Sequence, residues 1–411
     1  MPFCYYALRL LYNLAFWQGT EIYSMEMRTM SLLIKNAHLI SPDVDEKNCA
    51  ILLEGKKIAK VFKAGEALLK ADETFDAAGK MVMPGFIDVH IHGGMGYETT
   101  SGKIEAMDAI AQGKLKEGVT SFCPTTLTLS QEQLCKSLKL IEDYRKNAKY
   151  TKVLGVHLEG PYLNRECLGA QNPAFIRTPN IAEVKELNAI SPVSIVTYAL
   201  DVEGCIEFTK ELVAAGIKPS CGHTNATYAQ FMAGKKEGLA RLTHFCNQMT
   251  KLHHREIGLV GTGLIDDEVA VEMICDKIHL CPDMISLAFK VKPINKILLI
   301  TDAMEAAGLP DGDYQLGGLA VVVKDGAARL KTSNALAGST LQLNVALKNV
   351  YEVTGLPLKE LVKTTSYNQA VDLGIKDLGK IEAGFTADIT VLNDDFSTRA
   401  VFIDGALKYK A

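Results

Sequence analysis

Apolar and polar positions change their period twice along the chain. From Ser31 to about Met83 the apolar residues alternate with polar ones or come in short runs, as in LLIKNAHLI, AILLEGKKIAKVF and KMVMP. The segments EGKK, KAGE and AAGK read as turns between these strands. The C-terminal end looks the same, with TADITVLN followed by AVFIDGALKY and its DG turn. The middle differs. Eight strand-like runs, GFIDVHIH, GVTSFCPTT, KVLGVHLEG, PVSIVTYAL, IKPSCGHT, RLTHFCN, AVEMICD and KILLITDA, are separated by longer stretches. Of these, SQEQLCKSLKLIEDYRKNA and DVEGCIEFTKELVAAG have helical spacing. Strands joined by helical crossovers imply a parallel sheet covered on both faces, and eight of them predict a (β/α)8 TIM barrel over residues 85–384. The strand-rich ends, residues 31–84 and 385–411, predict a small β-sandwich built from both termini.

Composition narrows the class. The chain has 411 residues and a net charge of −4, with no basic excess to suggest a nucleic-acid partner. Its ten cysteines form no CxxC pair and are scattered, mostly in apolar segments, as expected of reduced thiols in a cytoplasmic protein. The opening MPFCYYALRLLYNLAFWQGTEIYSMEMRTM is too interrupted to span a bilayer and lacks a basic start or a small-residue cleavage site. Residues 1–30 are expected to be a dispensable extension, with an amphipathic surface helix as the alternative, and no membrane partner is expected.

In a (β/α)8 barrel the chemistry sits at the C-terminal ends of the strands. In GFIDVHIHGG, His90 and His92 are two apart at the end of an apolar run, so a strand would point both imidazoles to one face. Glu159, His223, His244 and Asp302 each follow a different strand-like run and precede a turn. An unpartnered buried carboxylate costs several kcal/mol, roughly, so ligand-type residues from five strands point to a shared divalent metal.

The motifs GFIDVHIHG, HLEGPYLN, GHTNA, THFCNQM, HHREIG, DKIHLCP, TDAM and LAGST occur in this order. With them the chain resembles the N-acetylglucosamine-6-phosphate deacetylase family of the amidohydrolase superfamily, from about Ser31 to the C-terminus. The resemblance implies a metal-binding barrel with a small β-sandwich and a homodimer. The implied reaction is hydrolysis of N-acetylglucosamine 6-phosphate to glucosamine 6-phosphate and acetate, in amino-sugar catabolism or cell-wall sugar recycling. Glu159, His223 and His244 match the core metal ligands. His90 and His92 match a position where members differ, so one or two ions (zinc, iron, manganese or cobalt) are expected. Asp302 matches the catalytic carboxylate. Arg255 and the Asn247–Gln248 backbone match sugar-phosphate contacts, the arginine reaching across a dimer interface, and His279 matches another substrate contact. Ala170, Gln171 and the LAGST residues Leu336, Ala337 and Gly338 are expected against the substrate. Gln171 stands where many members have a histidine, and Gln248 replaces a small residue. Asp88 and His157 share the strand faces of His90 and Glu159, and supporting or structural roles are expected of both. Cys221 and Cys246 are expected in the core. His38 is expected to be structural, and His253 and His254 to occupy a loop.

Two other readings compete. Dihydroorotases and nucleobase deaminases share the superfamily, but their chemistry would not require the phosphate anchor in HHRE. A non-catalytic scaffold would not be expected to keep every ligand together with Asp302.

Overall fold

The computed structural model describes residues 30–411. All but the last residue of the expected extension, 1–30, lies outside the described residues.

Eight parallel strands form the barrel: Phe86–Ile91, Val119–Thr126, Val156–Glu159, Val193–Tyr198, Lys218–Cys221, Arg241–Leu242, Ala270–Ile274 and Ile297–Ile300, each beside the next. The last strand returns to the first, with Asp302 N donating to His90 O at 2.9 Å and His92 N donating to Ala303 O at 2.8 Å. These are the eight runs expected from the sequence. One of them is broken. Lys152–Val153 pairs with Ser121–Phe122, and the strand restarts at Val156. Gly155 sits at the break, where a Cβ would meet Ser194 Oγ at 2.0 Å.

The covering helices follow local rules. Gln131–Lys146 begins in a capping box, in which Ser130 Oγ accepts from Gln133 N and Gln133 Oε1 accepts from Ser130 N. Such a cap is worth about 1 kcal/mol. Leu134, Leu138 and Ile141 recur at helical spacing and are fully buried against the barrel.

The chain ends build an additional eight-stranded sheet. Thr398–Ile403 lies between Ala406–Lys410 and Ile389–Leu392, which joins through Met81–Pro84 to Ser31–Ser41, Val44–Glu54 and Lys57–Phe62, and Glu73–Asp76 pairs in parallel with Ser31–Ser41 as the eighth. Ile58 N donates to Phe385 O at 2.9 Å, tying the far edge back toward Ile389. The sheet thus wraps a core of its own that includes Ile34, Ile51, Phe75 and Phe402.

The sequence reading has no counterpart for a three-stranded antiparallel sheet, Gly312–Leu316, Leu319–Lys324 and Ala327–Leu330, after the eighth barrel strand. It lies over the barrel mouth and matters below. Among the described residues no helix is long and apolar enough to cross a membrane.

Candidate active site

The C-terminal ends of five barrel strands deliver His90, His92, Glu159, His223, His244 and Asp302 to one place, and all six are buried. His223, His244 and Asp302 follow their strands in left-handed backbone, with φ of 49°, 28° and 50°. Histidine and aspartate tolerate this region better than most residues. The bend lets a strand end turn outward while its side chain stays over the barrel axis.

Glu159 is the hub. Its Oε1 lies 3.1 Å from His244 Nε2, 3.4 Å from His223 Nε2 and 3.4 Å from His90 Nε2. Its Oε2 lies 3.2 Å from His92 Nε2. Asp302 Oδ1 is 3.2 Å from His92 Nε2 and 3.6 Å from His90 Nε2. Two triads, His90–His92–Glu159 and Glu159–His223–His244, share this glutamate, and each brings its ligand atoms within 4.8 Å of one another.

The hydrogen bonds decide what these nitrogens offer. His223 Nδ1 donates to Cys167 O at 2.7 Å and His90 Nδ1 to Glu272 Oε2 at 2.9 Å. Each ring then presents the lone pair of Nε2 toward Glu159 and a neighbouring imidazole, only 3.0 Å away for His223 and His244. Lone pairs facing carboxylate oxygens repel unless a cation lies between them. The pKa directions agree. Burial alone would push the His90 imidazole down, yet Asp302, Glu272 and Glu159 hold it well above its ordinary value. For His92 burial is outweighed by hydrogen bonds to the Asp302 and Glu159 carboxylates, which carry it up to about 9. The cluster therefore favours positive charge at its centre, and its nitrogen and oxygen donors suit a divalent ion.

A cavity of about 250 Å³ opens above the cluster, near the low end of small-molecule sites, roughly 300–1,000 Å³. Ala170, Gln171, Asn247, Gln248, His279, Leu336 and Gly338 line it, as do Leu127, Gly169, Leu316 and Ala335, which the sequence reading did not include. Gly169, at φ 56°, lets its loop run beside His223, where a Cβ would meet Cε1 at 3.4 Å. Other expected contacts fall elsewhere. Ala337 is fully buried, with its N–H on Ala328 O, rather than on the cavity wall. Arg255 lies on an exposed loop outside the cavity lining, its Nη1 2.8 Å from His254 Nε2. The Asn247 N–H is committed to His244 O at 3.0 Å, because the chain turns there. Gln171 lines the cavity, but its amide is taken. Its Oε1 accepts from Thr128 N at 2.8 Å, which turns its Nε2 to donate to Glu159 Oε2. His279 Nδ1 bonds Asp276 Oδ2 at 2.7 Å.

The supporting residues also have clear places. Asp88 turns to Lys114 Nζ (2.9 Å) and Thr301 Oγ1 (2.6 Å), bracing the first strand against the eighth. His157 lies under His90, ring centroids 4.6 Å apart, and bonds Val89 O and Thr197 Oγ1. Burial drives its pKa down to about 3, so it stays neutral. Cys221 is buried and Cys246 half-buried. His38 pairs with Asp45 on the small sheet, and His253 and His254 stack on the exposed loop.

The model of the amidohydrolase family matches residues 81–408, from the strand before His90 nearly to the C-terminus. The chain belongs to the amidohydrolase family. Among relatives of this amidohydrolase, the N-acetylglucosamine-6-phosphate deacetylase of Lysinibacillus sphaericus is 32% identical over 89% of this chain and 94% of its own. The N-acetylgalactosamine-6-phosphate deacetylase of Escherichia coli O157:H7 is 36% identical over 80% of this chain and 88% of its own. The crystal structure of N-acetylglucosamine-6-phosphate deacetylase from Thermotoga maritima superposes with a TM-score of 0.84 at 38% identity, covering 92% of this chain and all of that one. The two His/Glu triads are thus the candidate metal-binding clusters of this amidohydrolase.

Proposed function

We propose that this amidohydrolase hydrolyses N-acetylglucosamine 6-phosphate to glucosamine 6-phosphate and acetate. The observation that carries the reading is Asp302 at the cavity floor, its carboxylate 3.2 Å from a ligand-type imidazole and open to the cavity on its other side. His90, His92 and Glu159 would hold one divalent ion, and Glu159, His223 and His244 a second, with Glu159 shared between them. Zinc, iron, manganese or cobalt all suit these donors. A divalent ion bound there polarises the acetyl carbonyl and brings the pKa of water toward neutrality.

The chain's own groups supply the remaining chemistry. Burial raises the Asp302 carboxyl, but positive charge at His90 and His92 holds it below the usual carboxylate range, and a divalent ion held by those residues would supply the positive charge in their stead, keeping the carboxylate ionised at neutral pH. It takes the proton of the attacking water and delivers it to the departing amine. Leu127, Leu316 and Leu336 line the cavity and would exclude bulk water around an acetyl group held there. His279 and Gln248 offer hydrogen-bond partners to the sugar. Among the described residues lining the cavity there is no lysine or arginine. A phosphate therefore needs a cation from elsewhere, and Arg255 on its exposed loop would provide it across a homodimer interface. The nine described cysteines are all free, which supports a reducing, cytoplasmic setting.

The relative named for the galacto epimer makes N-acetylgalactosamine 6-phosphate the competing substrate. Acetate release from both sugars, with and without a chelator, tests the reading. We expect metal-dependent turnover with the higher kcat/KM on the gluco sugar. Metal-independent turnover, or none on either sugar, overturns it.

A further inference from the structure

Glu272 lies on the seventh barrel strand, fully buried and beneath the cluster just described. Its two oxygens are divided. Oε2 accepts from His90 Nδ1 at 2.9 Å and from the backbone N–H of His244 at 3.2 Å. Oε1 accepts from Arg241 Nη2 at 2.5 Å and Nε at 3.2 Å. Arg241, equally buried, reaches past Glu272 with its other terminal nitrogen to Asp372 on the helix Tyr367–Asp372. A carboxylate and a guanidinium are thus placed inside the barrel, where burying an ion costs several kcal/mol, roughly, unless it is paired. Sequence reading gives AVEMICD as a strand and nothing more.

We propose that Glu272, fixed by Arg241, is the positioning residue that makes His90–His92–Glu159 a metal subsite. The inference rests on the ion-binding reading above, though not on the identity of the sugar. The carboxylate holds the Nδ1 proton of His90, and the lone pair of Nε2 is thereby aimed at Glu159. A histidine so oriented is pre-set as a ligand, and its basicity is raised. Glu272 is not itself a ligand. Although Glu272, His90 and His157 lie close enough to suggest a third triad, every side-chain oxygen and nitrogen of Glu272 and His157 in it is already hydrogen-bonded. Arg241 holds the Glu272 carboxylate in place by donating to Oε1 from both Nη2 and Nε, which leaves Oε2 for His90. The second triad does not take its tautomer from this pair, since His223 is oriented by Cys167 O and His244 meets the Glu272 side chain only through its backbone N–H, which a glutamine at 272 can still accept. Loss of Glu272 should therefore split the two halves of the site.

The test is zinc binding to metal-stripped protein, followed by calorimetry and by metal content per chain. Wild type is expected to take up two ions. Glu272→Gln should bind the ion of the His90–His92 half roughly 10–100-fold more weakly and retain the other, so that about one ion per chain survives dialysis. Because the single variant leaves Arg241 partly unpaired, the double variant Arg241→Met with Glu272→Met serves as a second probe that removes both charges together. It should fold, by its circular dichroism, and also retain one ion. Two ions bound with wild-type affinity in either folded variant, or one ion in wild type, overturns the proposal. Wild-type turnover of neither sugar, with the split in stoichiometry intact, would defeat only the substrate reading.

Discussion

Replacing Asp302 with asparagine isolates the proton transfer from the architecture that supports it. Asp302 sits at φ 50°, and asparagine is among the few residues that accept this region readily. The backbone N–H donates to His90 O at 2.9 Å and is untouched by the change, so the seam between the first and eighth strands stays closed. The amide keeps the size of the carboxylate but cannot accept a proton from water. General acid–base catalysis is worth roughly 10²–10⁴-fold, and at about 1.36 kcal/mol per decade this corresponds to about 2.7–5.4 kcal/mol of barrier. We therefore expect kcat to fall by roughly two to four orders of magnitude while metal content and melting temperature stay near wild type. Initial rates of acetate release, paired with metal analysis of the same sample, measure it. Turnover within about tenfold of wild type would remove Asp302 from the proton path. A fall in activity matched by loss of an ion would make it a ligand instead.

Arg255→Ala should leave stability unchanged and raise KM for the phosphorylated sugar by roughly ten- to a hundredfold, the worth of one charge-assisted contact. Equal KM for the sugar with and without its phosphate in wild type would refute this. Gln171→Ala strips the acceptor from Thr128 N and a donor from Glu159, both buried. It should lower unfolding free energy by about 1–3 kcal/mol, read by denaturant titration; an unchanged midpoint would return Gln171 to a substrate-only role. Burial lowers the Lys292 pKa to about 8 from the ordinary 10.5. Between those values the unfolded chain holds the proton and the folded one does not, so this residue's contribution to stability improves as pH rises through that window. Melting temperatures of wild type and Lys292→Met should therefore shift in favour of wild type between pH 8 and pH 10, and a pH-independent difference would refute the assignment.

The barrel was readable because its strands are short apolar runs bounded by turns and helical stretches, five of them ending in a ligand-type residue. The same rule exposed His90, His92, Glu159, His223, His244 and Asp302, since strand ends converge in this fold whatever the intervening loops do. Glu272 escaped because it lies in mid-strand, where a single acidic residue in AVEMICD carries no spacing signal. Its partners, Arg241 and His90, are adjacent only after the barrel closes. The inserted sheet had turn signals in Gly317–Gly318 and Asp325–Gly326, but GDYQLGGLAVVVKDGAARL follows the last barrel strand, where a helix is due. Arg255 illustrates a different limit. A motif can name a residue, yet where its side chain goes depends on assembly, and within one chain it lies on an exposed loop.

That inserted sheet gives the enzyme a wall outside the barrel ladder. It contributes Leu316 to the cavity; its own ladder joins its strands, and the buried Val321, Val323 and Ala328 anchor it in the core it shares with the barrel. Its tie to the mouth includes two carboxylates, Glu98 accepting from Gly317 N and Glu305 from Gln315 N, each at 2.6 Å. Lengthening a hairpin or exchanging Leu316 would remould the space around the sugar without disturbing a single strand of the barrel. Selectivity between epimeric or differently acylated sugars can thus drift on a part of the molecule that the reacting groups do not use as their foundation.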